Sequence, residues 1–298
     1  MTNLHLLLAL CTLSLNSAAI SQRRAATWNL QGSSAATESK WSNNVRQLVV
    51  GTDKTHPVTV LSLQEAGTPP EGSAKLQGPL GNRLINPHGV HQEVLEYKWN
   101  LGTTKREEIR WIYYTHNDHG ANRVNLAIVT KDRPDHVIIM QPPGDYKSVR
   151  PILGVQFQKD NYFTIHASAS GGGDAAGIVN HICNYFGSVQ EYDHQFMIMG
   201  DYNRNPDDLH KALERDHVDI LRHIGIFHTS TPTQKSGNIL DYAVIGQYKY
   251  DLVPHLIVHA VEAKLENQLV SDHFPVVFDV AQKTLIEFIT RIVYKINM

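Results

Sequence analysis

The feature that most constrains this chain is a succession of short apolar runs, each cut off by glycine, proline, asparagine or aspartate. Residues 25–30, 58–63, 109–114, 124–129, 136–140, 152–157, 162–166, 196–199, 239–245 and 274–280 follow this pattern. Runs of that length, bounded by turn formers, predict strands. Apolar residues at helical spacing occupy 41–50 and 175–186, and residues 206–214 open on proline and acids as a helix N-terminus does. Many strands with a few interleaved helices predict a layered α/β (α+β) protein with two packed sheets flanked by helices. No Pro/Gly/Ser linker divides the chain, so a single domain is expected over 22–281.

The two ends differ from this body. Leu4, Leu6, Leu7, Leu8, Leu10 and Leu13 are followed by Ser17, Ala18 and Ala19, an apolar core with a small-residue cleavage site. That pattern predicts a secretory signal over 1–19, although its start carries His5 and no Lys or Arg. Of the 2 cysteines, Cys11 falls in this segment, leaving Cys183 unable to form an internal disulfide. Stability must then come from a large core. At the other end Leu285, Phe288, Ile289, Ile292, Val293 and Ile296 predict an amphipathic helical extension over 282–298, packed on the domain or a partner. No later run is long and apolar enough to be expected to span a bilayer. The formal net charge of −2 argues against a module that grips DNA through many phosphates. It is compatible with an enzyme that holds one phosphate locally.

Chemistry-bearing residues recur at the ends of the predicted strands. Asn29, Glu65, His166, and Asp201 with Asn203 follow apolar runs; Asp272 and His273 precede one. Cleavage of a phosphodiester needs a hard cation, for which carboxylates and amide carbonyls are natural ligands. Glu65, Asp272 and Asn29 supply them. One group must also deprotonate water and another protonate the leaving oxygen, and His166 and His273 titrate in the right range for both. Any one of the 17 histidines is by itself more often structural than catalytic, and an isolated Gly-Asp turn is usually only a turn. The ordered set carries the argument.

The blocks 26–34 (ATWNLQGSS), 64–67 (QEAG), 200–204 (GDYNR) and 271–276 (SDHFPV) resemble the signature blocks of the DNase-I-like superfamily. More narrowly, 38–41 (ESKW), 99–102 (WNLG), 123–129 (RVNLAIV), 166–172 (HASASGG) and 239–242 (ILDY) resemble the B subunits of cytolethal distending toxins. The resemblance implies a four-layer DNase-I-like sandwich of two mostly antiparallel sheets flanked by helices. It implies His166 and His273 as the catalytic pair, Glu96 and Asp241 as the carboxylates that orient them, and a catalytic role for Asp201. Glu93, Glu107 and Glu108 compete with Glu96 for that role. The same resemblance gives Glu65, Asn29 and Asp272 as ligands of Mg2+, with Mn2+ or Ca2+ as alternatives. Arg123, Arg150 and Asn203 are implied as contacts to substrate phosphates.

The function implied is a secreted, metal-dependent deoxyribonuclease that hydrolyses DNA phosphodiester bonds. As a toxin component it would act in the nucleus of a target cell, with separate binding subunits delivering it. The alternative is a phosphatase acting on phosphatidylinositol or inositol phosphates. A catalytically dead binding protein is disfavoured, because every matched catalytic position keeps its residue type. Tyr202 departs from the usual Phe of the family.

Overall fold

The computed structural model describes residues 20, 23–32, 37–52, 55–117, 124–143, 150–191, 193–248, 256–265 and 271–282. The expected signal segment, Arg123 and residues 283–298 of the expected C-terminal extension lie outside them. Among the described residues the strands are β1 Ala25–Asn29, β2 Val60–Gln64, β3 Ser73–Lys75, β4 Leu84–Ile85, β5 Val94–Asn100, β6 Ile109–Thr115, β7 Leu126–Thr130 and β8 His136–Met140. They continue with β9 Ile152–Phe157, β10 Asp160–His166, β11 Gln195–Asp201, β12 Ile224–Phe227, β13 Asp241–Gln247, β14 Leu256–Glu262 and β15 Val276–Gln282. An 8-stranded sheet has the order β14-β15-β1-β2-β7-β6-β5-β3, and a 7-stranded sheet the order β12-β13-β11-β10-β9-β8-β4. Pairing is antiparallel except for β1 with β2, β10 with β11 and β4 with β8.

Period-two alternation sorts these strands into layers. In β2, Val60 faces the other sheet while Leu61 and Leu63 face outward. Both faces of the central strands are covered, so they read as nearly continuous apolar runs. Between the sheets, Val60, Ile128, Val276 and Phe278 pack on Val155, Tyr162, Met197 and Ile245. Helix α1 lies on the outer face of the 8-stranded sheet, where Trp41, Val45 and Leu48 pack on Trp28, Leu61 and Leu63. Its α-helical ends, Thr37–Ser39 and Arg46–Val50, flank a π-register segment, Lys40–Val45. Helices α2 (Ala175–Ser188) and α3 (Pro206–Asp216) cover the other outer face, burying Ile178, Ile182, Phe186 and Leu213 against Phe163, Phe196 and Val244. The result is the four-layer sandwich expected from the sequence. No helix among the described residues is long and apolar enough to cross a membrane.

Two polar devices join the sheets. At the centre, the buried Gln64 donates from Nε2 to Thr164 Oγ1 on β10 at 2.9 Å and to Ser62 Oγ at 2.8 Å. Its Oε1 accepts from Thr27 Oγ1 at 3.2 Å, and Ser62 Oγ donates onward to Met199 O on β11 at 3.4 Å. At the side, Glu96 on β5 accepts from Arg83 (3.0 and 3.1 Å), Arg133 (2.7 and 2.9 Å) and Tyr113 (2.7 Å). Arg83 immediately precedes β4 and Arg133 closely precedes β8, so this carboxylate clamps one sheet to the other.

Burial works to raise the pKa of Glu96, but hydrogen bonds from Arg133, Arg83 and Tyr113 outweigh it and hold the carboxyl down at about 2, against 4.5 ordinarily. A depressed folded-state pKa means stabilisation that is complete above the unfolded value and lost as pH falls toward the folded one. We expect Glu96→Gln to destabilise the fold at pH 7 by about 2 kcal/mol, less than a fully buried pair because Arg133 is half-exposed. The deficit should shrink as pH falls from 4.5 toward about 2. Denaturant unfolding of both proteins across pH 7 to 3 measures this; a constant deficit would show that the charge is not its source.

Candidate active site

The pairing pattern carries the chemical residues to one sheet edge. Parallel pairing ends β1 and β2 together at Asn29 and Gln64, and ends β10 and β11 together at His166 and Asp201. Asp241, first residue of the antiparallel β13, lies opposite Asp201. Antiparallel β15 brings Asp272 and His273 in beside β1. The Gln64 bridge lies one residue before Glu65, and its partner Thr164 two before His166, so it sets how the two halves of the site meet.

Close backbone approach then fixes the turns. Glu65 has φ 46° and Asn203 φ 48°, left-handed values that non-glycine residues adopt only when their surroundings hold them. Gly32 N donates to Glu65 O at 2.8 Å, and a Cβ at position 32 would lie 2.1 Å from that oxygen. Only glycine fits there. Lys40, 1% exposed, donates from Nζ to Leu30 O at 2.6 Å and Gln31 O at 3.1 Å. It thereby supports the turn between Asn29 and Gly32 from below, and the π-register of α1 begins at this residue. Such registers are frequent at functional sites.

Asp201 Oδ2 is the hub. It accepts from Asn29 Nδ2 at 3.0 Å and lies 3.5 Å from His166 Nε2 and 3.8 Å from His273 Nε2. Its Oδ1 accepts from Asn203 N at 2.8 Å. His273 Nδ1 donates to Asp241 Oδ2 at 2.7 Å, which leaves Nε2 facing Asp201 and Gln234. Glu65 Oε1 accepts from Asn29 Nδ2 at 3.3 Å and sits 3.9 Å from His166 Nε2. Asn29 Oδ1 accepts from Gln31 N at 3.0 Å, which fixes which way the amide points. Asn29, expected among the metal ligands, therefore shows a donor role here: its nitrogen orients two carboxylates. Arg150 donates to Ala167 O at 2.8 Å and His166 O at 3.3 Å, and Asn203 Nδ2 donates to Ala167 O at 2.9 Å.

Burial and neighbours split the two histidines. Burial, with Arg150 and His273 adding to it, pushes His166 well below the usual imidazole range. Burial also works to lower His273, but Asp241, then Asp201 and Asp272, overcome it and raise that ring to about 9. At neutral pH His273 carries the proton and His166 does not. Burial, reinforced by Asp241, lifts Asp201 to about 7. Glu65 is raised by burial and by Asp272, opposed by Asn29, His273 and Arg150.

Glu96 is corrected. Ser62, Ile128, Tyr113 and Glu96 lie side by side on β2, β7, β6 and β5. Three strand spacings, about 14 Å, therefore separate Glu96 from the β2 that underlies His166. Its oxygens are taken by two arginines and a tyrosine, and His166 Nδ1 is buried without a hydrogen-bond partner among the described residues. Glu96 is part of the clamp and orients no histidine. Sequence reasoning also missed Lys40, Gln64 and Gln234. A glutamine in the otherwise apolar run of β2 was the available signal for Gln64.

Asp201, Asp241 and His273 each offer a ligand atom within 4.8 Å of the others. That group already holds a cation of its own, the His273 imidazolium bonded to Asp241. Glu65 and Asp272 fit a hard divalent ion better. Both are oxygen donors, they repel each other, and Glu65 is only partly buried, with 22% of its side chain exposed.

Residues 26–273 match the model of the Endonuclease/Exonuclease/phosphatase family. A homolog of the cytolethal distending toxin B subunit from Salmonella typhi is 45% identical over 259 residues, covering 87% of this chain and 90% of the relative. The B subunit of the Escherichia coli cytolethal distending toxin is 39% identical over 256 residues, 85% of this chain and 90% of its own length. A chain of the Haemophilus ducreyi cytolethal distending toxin crystal structure superposes with a TM-score of 0.78 at 37% identity, covering 89% of this chain and 100% of that one. With a strand-edge site of two histidines and four carboxylates behind these likenesses, the chain belongs to the endonuclease/exonuclease/phosphatase family and, within it, to the B subunits of cytolethal distending toxins.

Proposed function

We propose that this protein is a secreted, Mg2+-dependent endonuclease that hydrolyses DNA phosphodiester bonds. The observation carrying the reading is the approach of His166 Nε2 and His273 Nε2 to Asp201 Oδ2, at 3.5 and 3.8 Å, with Glu65 3.9 Å from the first ring. Neutral His166 accepts a proton from the attacking water. His273, held as imidazolium by Asp241, donates its Nε2 proton to the departing oxygen. Asp201, between the rings and poised near neutrality, keeps both Nε2 atoms oriented. Glu65 and Asp272 hold the cation, with Asn29 steering Glu65; when bound, the cation neutralises phosphate charge. Arg150 and Asn203, and Arg123, contact phosphate oxygens, a task suited to the planar guanidinium. As a toxin component the chain would reach the nucleus of a target cell with the help of separate delivery subunits, as its relatives' names support.

The primary test is plasmid nicking by the purified chain with Mg2+, run beside inositol-phosphate release. Nicking without phosphate release supports the nuclease reading; the reverse pattern replaces it with the phosphatase. Glu65→Gln should move the Mg2+ concentration for half-maximal nicking upward by about tenfold or more, since a neutral amide is a poorer ligand for a hard cation. An unchanged titration curve would remove Glu65 from the ligands. Asp241→Asn keeps the shape but loses the charge that holds the His273 proton. We expect nicking to fall by roughly a hundredfold or more, as for lost acid–base function elsewhere. The alkaline limb of the pH profile should move to lower pH, because the raised pKa of about 9 depends first on Asp241 among its partners. Wild-type nicking and pH profile in this variant would sink the proposed acid.

A further inference from the structure

Three segments leave the site in company: residues 171–174 after His166, 203–205 after Asp201, and 238–240 before Asp241. Together with α3 they wall a cavity of about 510 Å³ that begins at Asn203. A second cavity of about 310 Å³ continues past Arg204 toward the start of α2. Arg204, Ala212 and Arg215 line both, so the two form one groove running away from the histidines.

We propose that this groove is a second backbone-phosphate subsite, and that Arg204 binds the strand of nucleic acid beyond the phosphate held at the histidines. The inference rests on the nuclease reading and deepens it. Arg204 is anchored by one bond, Nε to Gly171 O at 3.0 Å, and among the described residues neither of its terminal Nη groups is hydrogen-bonded. The other cations of the groove are already paired: Arg215 with Asp216 at 2.6 Å and Lys211 with Asp208 at 3.5 Å. A guanidinium with its fork open suits a phosphate oxygen pair. Gly173, Ala176, Gly177 and Ala212 give the second cavity a low floor, on which a sugar–phosphate chain can approach closely. Among the described residues no Phe, Tyr or Trp lines either cavity, so bases have nothing to stack on and the contact is with backbone, independent of sequence. The groove leads away from the site instead of closing round it. It fits a linear polyanion better than a compact inositol headgroup.

Steady-state cleavage of plasmid DNA and of bis(4-nitrophenyl) phosphate, which has a single phosphate, tests this in Mg2+. Arg204→Ala should raise the plasmid KM roughly tenfold with kcat nearly held, the scale of one charge-assisted contact. The slope of log kcat/KM against log salt should become shallower by about 0.9, one phosphate contact fewer. Loss on the small diester should be much smaller, and Arg204→Lys should recover part of the plasmid affinity. Asn238→Glu adds a negative charge to the groove wall without touching the Gly171 bond, and should raise the plasmid KM in the same sense. Wild-type plasmid KM and salt slope in both Arg204→Ala and Asn238→Glu would overturn the inference. Equal losses on the two substrates would overturn it too, by moving Arg204 into the chemistry. A wild-type chain that cuts neither substrate overturns the nuclease reading and this inference with it.

Discussion

The Gln64 side chain is the constraint on which the site depends. Two sheets packed through aliphatic side chains are held together strongly but with little positional specificity, since apolar contact is non-directional. A fully buried amide is directional, because leaving any of its groups unsatisfied costs about 1–3 kcal/mol. Gln64 bonds to β10 through Thr164 and to β1 through Thr27, while Ser62 bonds to β11. A slip of either sheet would break several of these bonds together. Glu65, Asn29 and His166 lie within two residues of the bridge, so its geometry is transmitted to the site through very little chain.

That rigidity is needed because the site is unfavourable on its own terms. It gathers Glu65, Asp201, Asp241 and Asp272 around two histidines, most of them out of water, and holds Glu65 and Asn203 at positive φ. Lys40 and Arg150 stand beneath as buried cations whose pKa burial has lowered, and Glu65 acts electrostatically on both. Each bonds to backbone carbonyls of a site loop, Leu30 and Gln31 for Lys40, His166 and Ala167 for Arg150. The same two side chains therefore offset charge and hold shape. The stability that tolerates this comes from elsewhere: three apolar layers and the Glu96 clamp at the far side of the sandwich.

Much of this was legible in the sequence, for local reasons. Central strands are apolar on both faces, so β8 and β9 were placed at their ends and β1, β2, β6, β7, β10, β11, β13 and β15 within a few residues. The chemical residues sit where apolar runs stop, which is where a sheet edge must be. Strands β3, β4, β5, β12 and β14 were missed because they are short or outlying, and Glu96, Lys98, His259 and Glu262 interrupt the signal on β5 and β14. Glu96 was misassigned because its partners, Arg83 and Arg133, come from distant loops of the other sheet. Lys40 was visible only as one letter of a helix; what makes it matter is the pair of carbonyls nine and ten residues upstream, which no periodicity reports.

The net charge of −2 now takes on a mechanical meaning. A polyanion is not drawn to this protein by overall attraction, and binding through many lysines would be visible as a basic surface. Affinity must instead be assembled from few, well-placed contacts: a divalent ion at Glu65 and Asp272, an imidazolium at His273, and an open guanidinium where the strand leaves the site. The first two are compensated by buried carboxylates when no substrate is present, so they cost the free protein little uncancelled charge. Only a group that brings its own negative charge to that edge gains from all three at once. Substrate selection in such a site is therefore a matter of phosphate spacing along a chain, more than of total charge or of base identity.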